Sequence, residues 1–364
     1  MASVAPIEQL QGADLTSRTK RASRRTALHD ITNANSRKRK RMVAKGLTAD
    51  YLGNGNSNRA RQPKNQKTSP CGELEAMDIE VPYTQTQRSF AKPNRGPDAD
   101  IIYCALYAED IRATMLKNEE KQRNFKSQYS FEKVQTQINL NMRAILVDWL
   151  VEVAEEYKLR RQTLFLAVHY VDRYTALRTV ERSDLQLIGI TCMFIASKYE
   201  EIHPPPVDEF VYISDNTYTR EQIITMETEI LVTLKFELTI STVHSFLSHF
   251  LVGCAVSDIF QHLCHYFSET TLVHKTFWQY DPSTIAAAII YLALTTLSID
   301  CSNFNVEGVT GYSFSSVKHI MAIICNIHSG ASMSQLRAVH GKYSLPKYSR
   351  VADYNVIKPM QQIL

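Results

Sequence analysis

Residues 142–153 read MRAILVDWLVEV, a helical pattern with more apolar surface than one core contact needs. At about 100° per residue, an apolar stripe and its extension leave one narrow acidic side. The stripe is Met142, Ile145, Leu146, Trp149 and Val153; the extension is Val147, Val151 and Ala154; the acidic side is Asp148, Glu152, Glu155 and Glu156. A surface helix normally buries one stripe. This helix is therefore predicted either to lie deep in the fold or to offer apolar surface to another molecule.

Arg143 falls inside the apolar arc of this segment. A charge without a partner would be costly there, so Arg143 requires a carboxylate from elsewhere in the chain. Asp172, in HYVDRY (169–174), is the predicted partner in a structural ion pair.

The whole chain has 364 residues, a net charge of +4 and 44% hydrophobic residues, enough for two or three compact units. The longest apolar run, IAAAIIYLAL (285–294), is far shorter than the roughly 18 residues that span a bilayer. The N-terminal residues lack the pattern of a secretory signal. We therefore expect a soluble protein with no membrane partner.

The cysteine pattern and the missing catalytic motifs argue against a metal, a cofactor or an active site. Seven cysteines without a C-x-x-C pair favour a reducing compartment over a disulfide framework or zinc ribbon. The chain also lacks a phosphate loop and a G-x-S-x-G motif. We expect no cofactor and no metal, and an enzyme is disfavoured.

Charge divides the chain into a basic tail and an acidic body. Residues 1–100 hold 18 lysines and arginines against 10 acidic residues, a net charge of +8; the remainder holds 23 against 27, a net charge of −4. The tail has few apolar clusters and is predicted to be disordered. Its basic run is Arg37, Lys38, Arg39, Lys40 and Arg41. This run favours nuclear import through an import receptor, with a solubilising tail as the alternative. Direct nucleic-acid binding is disfavoured because the body is acidic.

The body carries helix signals throughout and no convincing strand pattern. Ser183–Gln186 and Thr219–Gln222 have the form of capping boxes, and Asp281 precedes a proline at a helix start. Two central segments, GITCMFIASKY (189–199) and IAAAIIYLALT (285–295), resemble each other, and each is flanked by two helices on either side. An all-α fold of two bundles of about 100 residues is predicted.

Two further charges lie on apolar helical faces. Glu227 falls among the positions expected to be buried in its helix, which are Ile223, Ile224, Ile230, Leu231 and Leu234. Lys198 lies at the margin of the apolar face of the first central segment. The two are predicted to be partners. They form either an internal salt bridge or a charged pair that emerges at an edge and binds the backbone of another protein.

Long segments of the body resemble the cyclin box of the mitotic cyclins. These segments are MRAILVDWLVEVAEEYKL (142–159), SKYEEIHPPPVDEFVYISDNTYT (197–219) and METEILVTLKFEL (226–238). FVYISDNTY (210–218) is more similar to A-type than to B-type cyclins, although a B-type cyclin stays an alternative. In the tail, RTALHDITN (25–33) resembles the family's destruction box, with Arg25, Leu28 and Asn33 as its fixed residues.

The resemblance implies two five-helix repeats preceded by an N-terminal helix that holds Tyr107, Asp110 and Ile111. The implied boundaries are a disordered regulatory tail over 1–100, a first cyclin box with its preceding helix over 101–238, a second box over 239–350 and a C-terminal tail over 351–364. A cyclin-fold transcription factor is the rival of a different class. It would have a basic body and usually a zinc ribbon, and neither is present in this sequence.

The implied activity is that of a non-catalytic subunit that binds and activates a cyclin-dependent serine/threonine kinase between S phase and mitosis. The family's kinase-binding positions fall on Lys198, Glu227, Ile111, Ile195, Tyr199, Leu231, Phe236 and Leu238. Tyr199 stands where many relatives have phenylalanine.

The resemblance also implies a docking groove for substrates and inhibitors with an R-x-L motif. Its apolar residues are Met142, Ile145, Leu146, Trp149 and Leu185, while Glu152 and Gln186 hold the cationic part. The destruction box implies turnover through the anaphase-promoting complex. The expected location is the nucleus, with a cytoplasmic pool.

Overall fold

The computed structural model describes residues 107–252, 257–299 and 305–356, which hold α-helices, short 3-10 turns and no strand. The first helices are α1 (Ala108–Gln128), α2 (Phe131–Val134), α3 (Leu140–Glu156), α4 (Arg161–Leu177), α5 (Leu185–Glu200), α6 (Val207–Ile213) and α7 (Arg220–Thr233). The others are α8 (Val243–Val252), α9 (Asp258–Val273), α10 (Pro282–Thr296), α11 (Val306–Thr310), α12 (Phe314–Ala331) and α13 (Ala338–Tyr343). The predicted destruction box and basic run lie outside the described residues.

Helices α3–α7 and α8–α12 form two groups, each built around one buried helix. In the first group α5 packs against α3, α4, α6 and α7; in the second α10 packs against α8, α9, α11 and α12. Residues 185–197 of α5 are all buried, and α10 is buried along almost its whole length. The predicted all-α fold with two five-helix repeats after an N-terminal helix is therefore confirmed. No helix in the described ranges has the length and apolar content to cross a membrane.

The helix-start signals have different outcomes. Thr219 forms the predicted capping box with Gln222. The capping box predicted at Ser183 is wrong, because α5 begins two residues later and the Ser183 hydroxyl instead donates to Asp184 Oδ1 at 3.2 Å. Asp281 is the N-cap residue of α10, but its carboxylate pairs with Arg123 and does not cap the helix.

Helix α3 lies deep in the fold, in contact with α4, α5, α9 and α13. Its excess apolar surface is used by both repeats. The prediction that Asp148 faces solvent is wrong: this carboxylate is buried and accepts a hydrogen bond from Ala338 N, at the start of α13, at 2.8 Å. An acidic side chain is favourable at a helix N-terminus because amide N–H groups point outward there.

Arg143 joins the two repeats. Its Nε and Nη2 donate to the Asp172 carboxylate at 2.6 and 2.8 Å, as the sequence suggested, and its Nη1 donates to the carbonyls of Leu272 and Val273 at the end of α9, both at 3.1 Å. Lys275 also contacts Asp172 at 3.1 Å. Burial opposes ionisation of Asp172, but the Arg143 and Lys275 charges outweigh it and hold the pKa of this carboxyl below its ordinary value.

Helix α1 docks onto the second repeat through polar side chains. The buried Glu119 carboxylate accepts from Ser283 N at 2.7 Å and from Ser283 Oγ at 2.8 Å, so it caps α10 from another helix. Arg123 pairs with Asp281 at 2.6 Å. Burial, opposed by the bonds from Ser283, raises the pKa of Glu119.

The C-terminal part of the described chain is anchored by buried charge. Glu269 of α9 is fully buried and accepts from Tyr343 Oη at 2.6 Å and Lys342 Nζ at 2.9 Å. Val351 and Ala352 are also buried, in a 3-10 turn beside α9. Packed structure therefore continues past residue 350, where the sequence had suggested that the C-terminal tail begins.

Candidate protein-binding surface

Lys198 and Glu227 meet at the edge of the first repeat. Lys198 lies in the last turn of α5, Glu227 in the middle of α7, and Lys198 Nζ contacts Glu227 Oε1. Their side chains are 42% and 13% exposed, and Lys198 Nζ lies 4.2 Å from the centroid of the Phe194 ring. The pair is thus neither separated nor sealed in the core, and its charged groups reach the surface.

The outer face of α7 differs from the sequence prediction at one position. Ile223, Ile230 and Leu234 are buried, but Ile224 is 43% exposed, so its assignment to the buried face is wrong. Ile224 lies 100° around the helix from Ile223 and therefore projects away from the core. Glu227 keeps its place on the stripe between Ile223 and Ile230.

Several large apolar side chains on the two helices and their following segments are exposed. They are Tyr199, Ile202, Ile224, Val232 and Phe236. Ile202, Ile224 and Val232 were not among the predicted contact residues. Ile202 lies two residues after the end of α5, just before a proline run. Its place outside a helix was the one feature of the sequence that indicated an exposed side chain. Large apolar side chains held in water beside an ion pair suit a protein interface.

The other predicted contact residues differ in exposure. Ile111 on α1 is exposed, and Leu231 and Leu238 are partly buried. Ile195 is only 2% exposed, so direct contact with a partner is excluded in this conformation. This residue lies one turn before Lys198 on α5 and supports the surface from beneath.

The segment after α7 places Phe236 outward. Lys235 and Phe236 have φ values of 53° and 57°, in the left-handed region that side chains other than glycine rarely adopt. Their N–H groups donate to Val232 O and Leu231 O at 3.0 Å, which closes the helix. Phe236 is consequently 65% exposed. Backbone strain of this kind is found at functional sites more often than elsewhere.

Tyr199 connects α5 to the same segment. Its hydroxyl lies 2.7 Å from Thr239 Oγ1, so the two share a hydrogen bond that a phenylalanine could not form. The departure from the family pattern therefore adds a polar link across the surface.

The proposed docking groove on α3 is mostly closed. Its buried members are Met142, Leu146, Trp149, Leu185 and Gln186, while Ile145 and Glu152 are partly exposed. Leu146 packs directly on Gly189 of α5, where an added Cβ would lie 2.7 Å from Leu146 Cδ1. This close approach holds Leu146 in the core, away from the surface of α3. No group of residues suited to a metal ion occurs in the described part of the chain.

Two family models match this chain: the N-terminal cyclin domain over residues 110–239 and the C-terminal cyclin domain over residues 241–356. Among solved structures, a viral cyclin from herpesvirus saimiri has a TM-score of 0.53 at 18% identity and covers 64% of this chain and 99% of its own. The chain therefore belongs to the cyclin family.

The similar proteins are A-type cyclins of plants and animals. Putative cyclin-A3-1 of Arabidopsis thaliana is 36% identical over 346 residues, 93% of either chain. Cyclin-A2-1 of Arabidopsis thaliana is 41% identical over 260 residues, 70% of this chain and 58% of its own. G2/mitotic-specific cyclin-A of Hydra viridissima is 43% identical over 250 residues, 68% of this chain and 59% of its own. The A-type resemblance is confirmed, and this chain spans less than two thirds of the last two relatives.

Proposed function

We propose that this chain is the non-catalytic regulatory subunit of a cyclin-dependent serine/threonine kinase. It binds and activates the kinase and docks its substrates between S phase and mitosis. The observation that carries this proposal is the Lys198–Glu227 ion pair at a protein edge, beside exposed Tyr199 and Phe236. Such a pair can hydrogen-bond a partner's backbone while the apolar side chains are buried in the contact.

Activation follows from a property of protein kinases. Their catalytic lysine must pair with a glutamate on the αC helix, and the position of that helix is a control point. A subunit that binds the inward position of αC more tightly than the outward one shifts that equilibrium by its differential affinity. Catalysis remains on the kinase.

Co-purification with candidate cyclin-dependent kinases, followed by a histone phosphorylation assay, tests this function. We expect a stable complex whose histone phosphorylation greatly exceeds that of the kinase alone, and no phosphorylation by this chain alone. A chain that binds none of these kinases, or binds without activating them, would overturn the proposal.

The surface of α3 is proposed to dock substrates and inhibitors that carry R-x-L motifs. Ile145 and Glu152 reach the surface there and offer an apolar and an anionic contact.

The tail is proposed to control the amount and location of the protein. RTALHDITN (25–33) supports ubiquitin-dependent degradation through the anaphase-promoting complex, and the basic run at 37–41 supports import into the nucleus, with a cytoplasmic pool. Alanine at both Arg25 and Leu28 should lengthen the half-life in mitotic extract. An unchanged half-life would argue against the degradation signal.

A further inference from the structure

A cleft of about 280 Å³ lies between α1 and the segment that joins the two repeats. Its walls include Lys121, Lys126, Arg173 and Glu237, with the rings of Phe125 and Trp278. Phe236 and Leu238 line it too, so the cleft adjoins the proposed kinase-binding surface without including the Lys198–Glu227 pair.

The cleft has an excess of positive charge although residues 101–364 are net acidic. Glu237 is its one acidic residue, and Glu237 pairs with Arg173 at 3.0 Å. Lys121 and Lys126 have no carboxylate within 4 Å among the residues that the structure describes. Two lysines that form no direct ion pair in a partly desolvated cleft favour an anionic ligand.

Lys126 is the deeper of the two lysines. Its Nζ donates to the carbonyl of Tyr280 at 3.1 Å, and the ammonium lies 5.2 Å from the centroid of the Trp278 ring. Burial lowers the pKa of Lys126 to about 8, although the charges of Asp281, Glu119 and Asp172 partly oppose that shift. An anion bound directly at Lys126 would stabilise the ammonium further.

A second observation indicates that the ligand also donates a hydrogen bond. Gln122 is buried beside the cleft, and its Nε2 donates to Ser241 O at 3.1 Å. Its Oε1 is buried with no hydrogen-bond partner in the described structure, as is His169 Nε2 in the same wall. Buried polar atoms without partners are costly, and a ligand N–H would satisfy the Gln122 oxygen once its side-chain amide turns toward the cleft.

We infer that this cleft binds a phosphorylated peptide, with the phosphate at Lys121 and Lys126 and a peptide N–H on Gln122 Oε1. A phosphoserine carries about −1.5 to −2 charges at pH 7, which matches two lysines that form no direct ion pair better than a single carboxylate does. Inorganic phosphate offers the charge but no N–H group. The inference rests on the proposed function, since the kinase complex would produce such phosphopeptides.

The test measures binding of the fluorescein-labelled peptide Gly-Ala-Ala-phosphoserine-Ala-Ala-Gly to the full chain by fluorescence anisotropy. The same peptide with serine or glutamate serves as the ligand control. We expect the phosphopeptide to bind at least about tenfold more tightly than either control and more tightly than inorganic phosphate. Equal competition by inorganic phosphate would mean an adventitious ion only and would overturn the inference.

Lysine variants test the site itself. Lys126→Ala should weaken phosphopeptide binding about tenfold or more, and Lys126→Arg should retain most of it. Lys117→Ala removes the same charge from an exposed position of α1 outside the cleft and should change binding less than twofold. Equal losses for Lys117→Ala and Lys126→Ala would indicate unspecific attraction and overturn the site.

The kinase assay separates the two proposals. Lys126→Ala should co-purify with the kinase as the natural chain does, because Lys126 contacts neither Lys198 nor Glu227. If the natural chain binds no kinase, the proposed function fails irrespective of the cleft. If kinase binding is intact but phosphopeptide binding is absent, the cleft inference alone fails.

Discussion

The two members of the Lys198–Glu227 pair are unequally placed: the lysine is 42% exposed and the glutamate 13%. Because of this difference in exposure, substitution of the lysine and substitution of the glutamate should affect folding stability differently. Exposed charges contribute little to folding, whereas a truncated charge at an interface can cost a complex 2–5 kcal/mol or more. Lys198 is therefore the better residue with which to separate binding from stability.

We expect Lys198→Ala to reduce kinase co-purification at least about tenfold while changing the free energy of unfolding by roughly 1 kcal/mol or less. Urea denaturation checks the second quantity. Arg220→Ala is the matched control, because Arg220 pairs with Asp208 on the surface at 3.2 Å and both side chains are more than half exposed. Equal retention of kinase by the two variants would contradict the assignment.

Substitution of Arg143 should destabilise the contact between the two repeats as well as the first repeat itself. Arg143→Ala removes both bonds to Asp172 and both bonds to the end of α9. Breaking a buried ion pair in this way typically costs about 3–5 kcal/mol. Urea denaturation should show this loss in full, with a smaller loss for Arg143→Lys, which keeps the charge. A change below about 1 kcal/mol would show that Lys275 alone satisfies Asp172.

At the scale of elements, helical periodicity predicted α3 and α7, because local spacing determines an apolar face, and two similar apolar segments indicated the central helices α5 and α10. The longest of the described helices, α1, was expected only from the family resemblance. It failed where a charge has a distant partner. Asp148 bonds a residue 190 positions away, Glu119 one 164 positions away and Glu269 one 74 positions away. A single sequence carries no signal for such pairs, so these carboxylates could be recognised as buried only from the structure.

The predicted binding surface likewise has some features that the sequence could predict and others that it could not. The Lys198–Glu227 and Arg143–Asp172 pairs followed from charges on apolar faces, which require partners. The exposure of Ile224 and Ile202 did not follow, because hydrophobic periodicity cannot distinguish a core position from a partner-binding one. The close packing of Leu146 on Gly189, which lets α3 and α5 approach each other, could not be read from periodicity either.

Helix α3 provides a test of substrate docking, and the structure determines which residues to change. Trp149 is 8% exposed. Trp149→Ala should therefore lower the free energy of unfolding by about 3–5 kcal/mol in addition to weakening substrate docking. Glu152→Ala should weaken binding of an R-x-L peptide roughly tenfold, measured by fluorescence anisotropy, with kinase co-purification unchanged. Loss of kinase and peptide together in a folded Glu152→Ala protein would indicate that α3 has no separate docking surface.

At the scale of the whole molecule, partly buried histidines should make stability depend on pH. Burial, together with neighbouring cations, lowers the pKa of His169 to about 3 and that of His244 to about 4, and His265 is also shifted well below its ordinary value. Above about pH 6.5 each is neutral in the folded and unfolded states. Below that pH the unfolded chain binds protons that the folded chain does not, so the free energy of unfolding falls.

The free energy of unfolding should fall by up to about 1.4 kcal/mol per histidine for each pH unit. The fall ends when the pH reaches the pKa of that histidine in the folded state. The raised pKa of Glu119 acts in the opposite direction, because its protonation favours the folded state as the pH falls. Between pH 7.5 and 5.0 we expect a net loss on the order of 3–5 kcal/mol, measured by urea denaturation. His244→Gln should reduce this dependence, and a flat profile in the natural chain would contradict the account.

The helix that carries the proposed substrate groove is held in part by residues 338–348, which follow the second repeat. Asp148 accepts from Ala338 N, and Glu155 bonds both Lys347 and Tyr348. A nonsense mutation shortly after residue 330 would delete all three of these partners and leave every residue of the first repeat in place. We expect the truncated protein to lose substrate docking while it still binds the kinase. Phosphorylation would then continue with lower substrate selectivity.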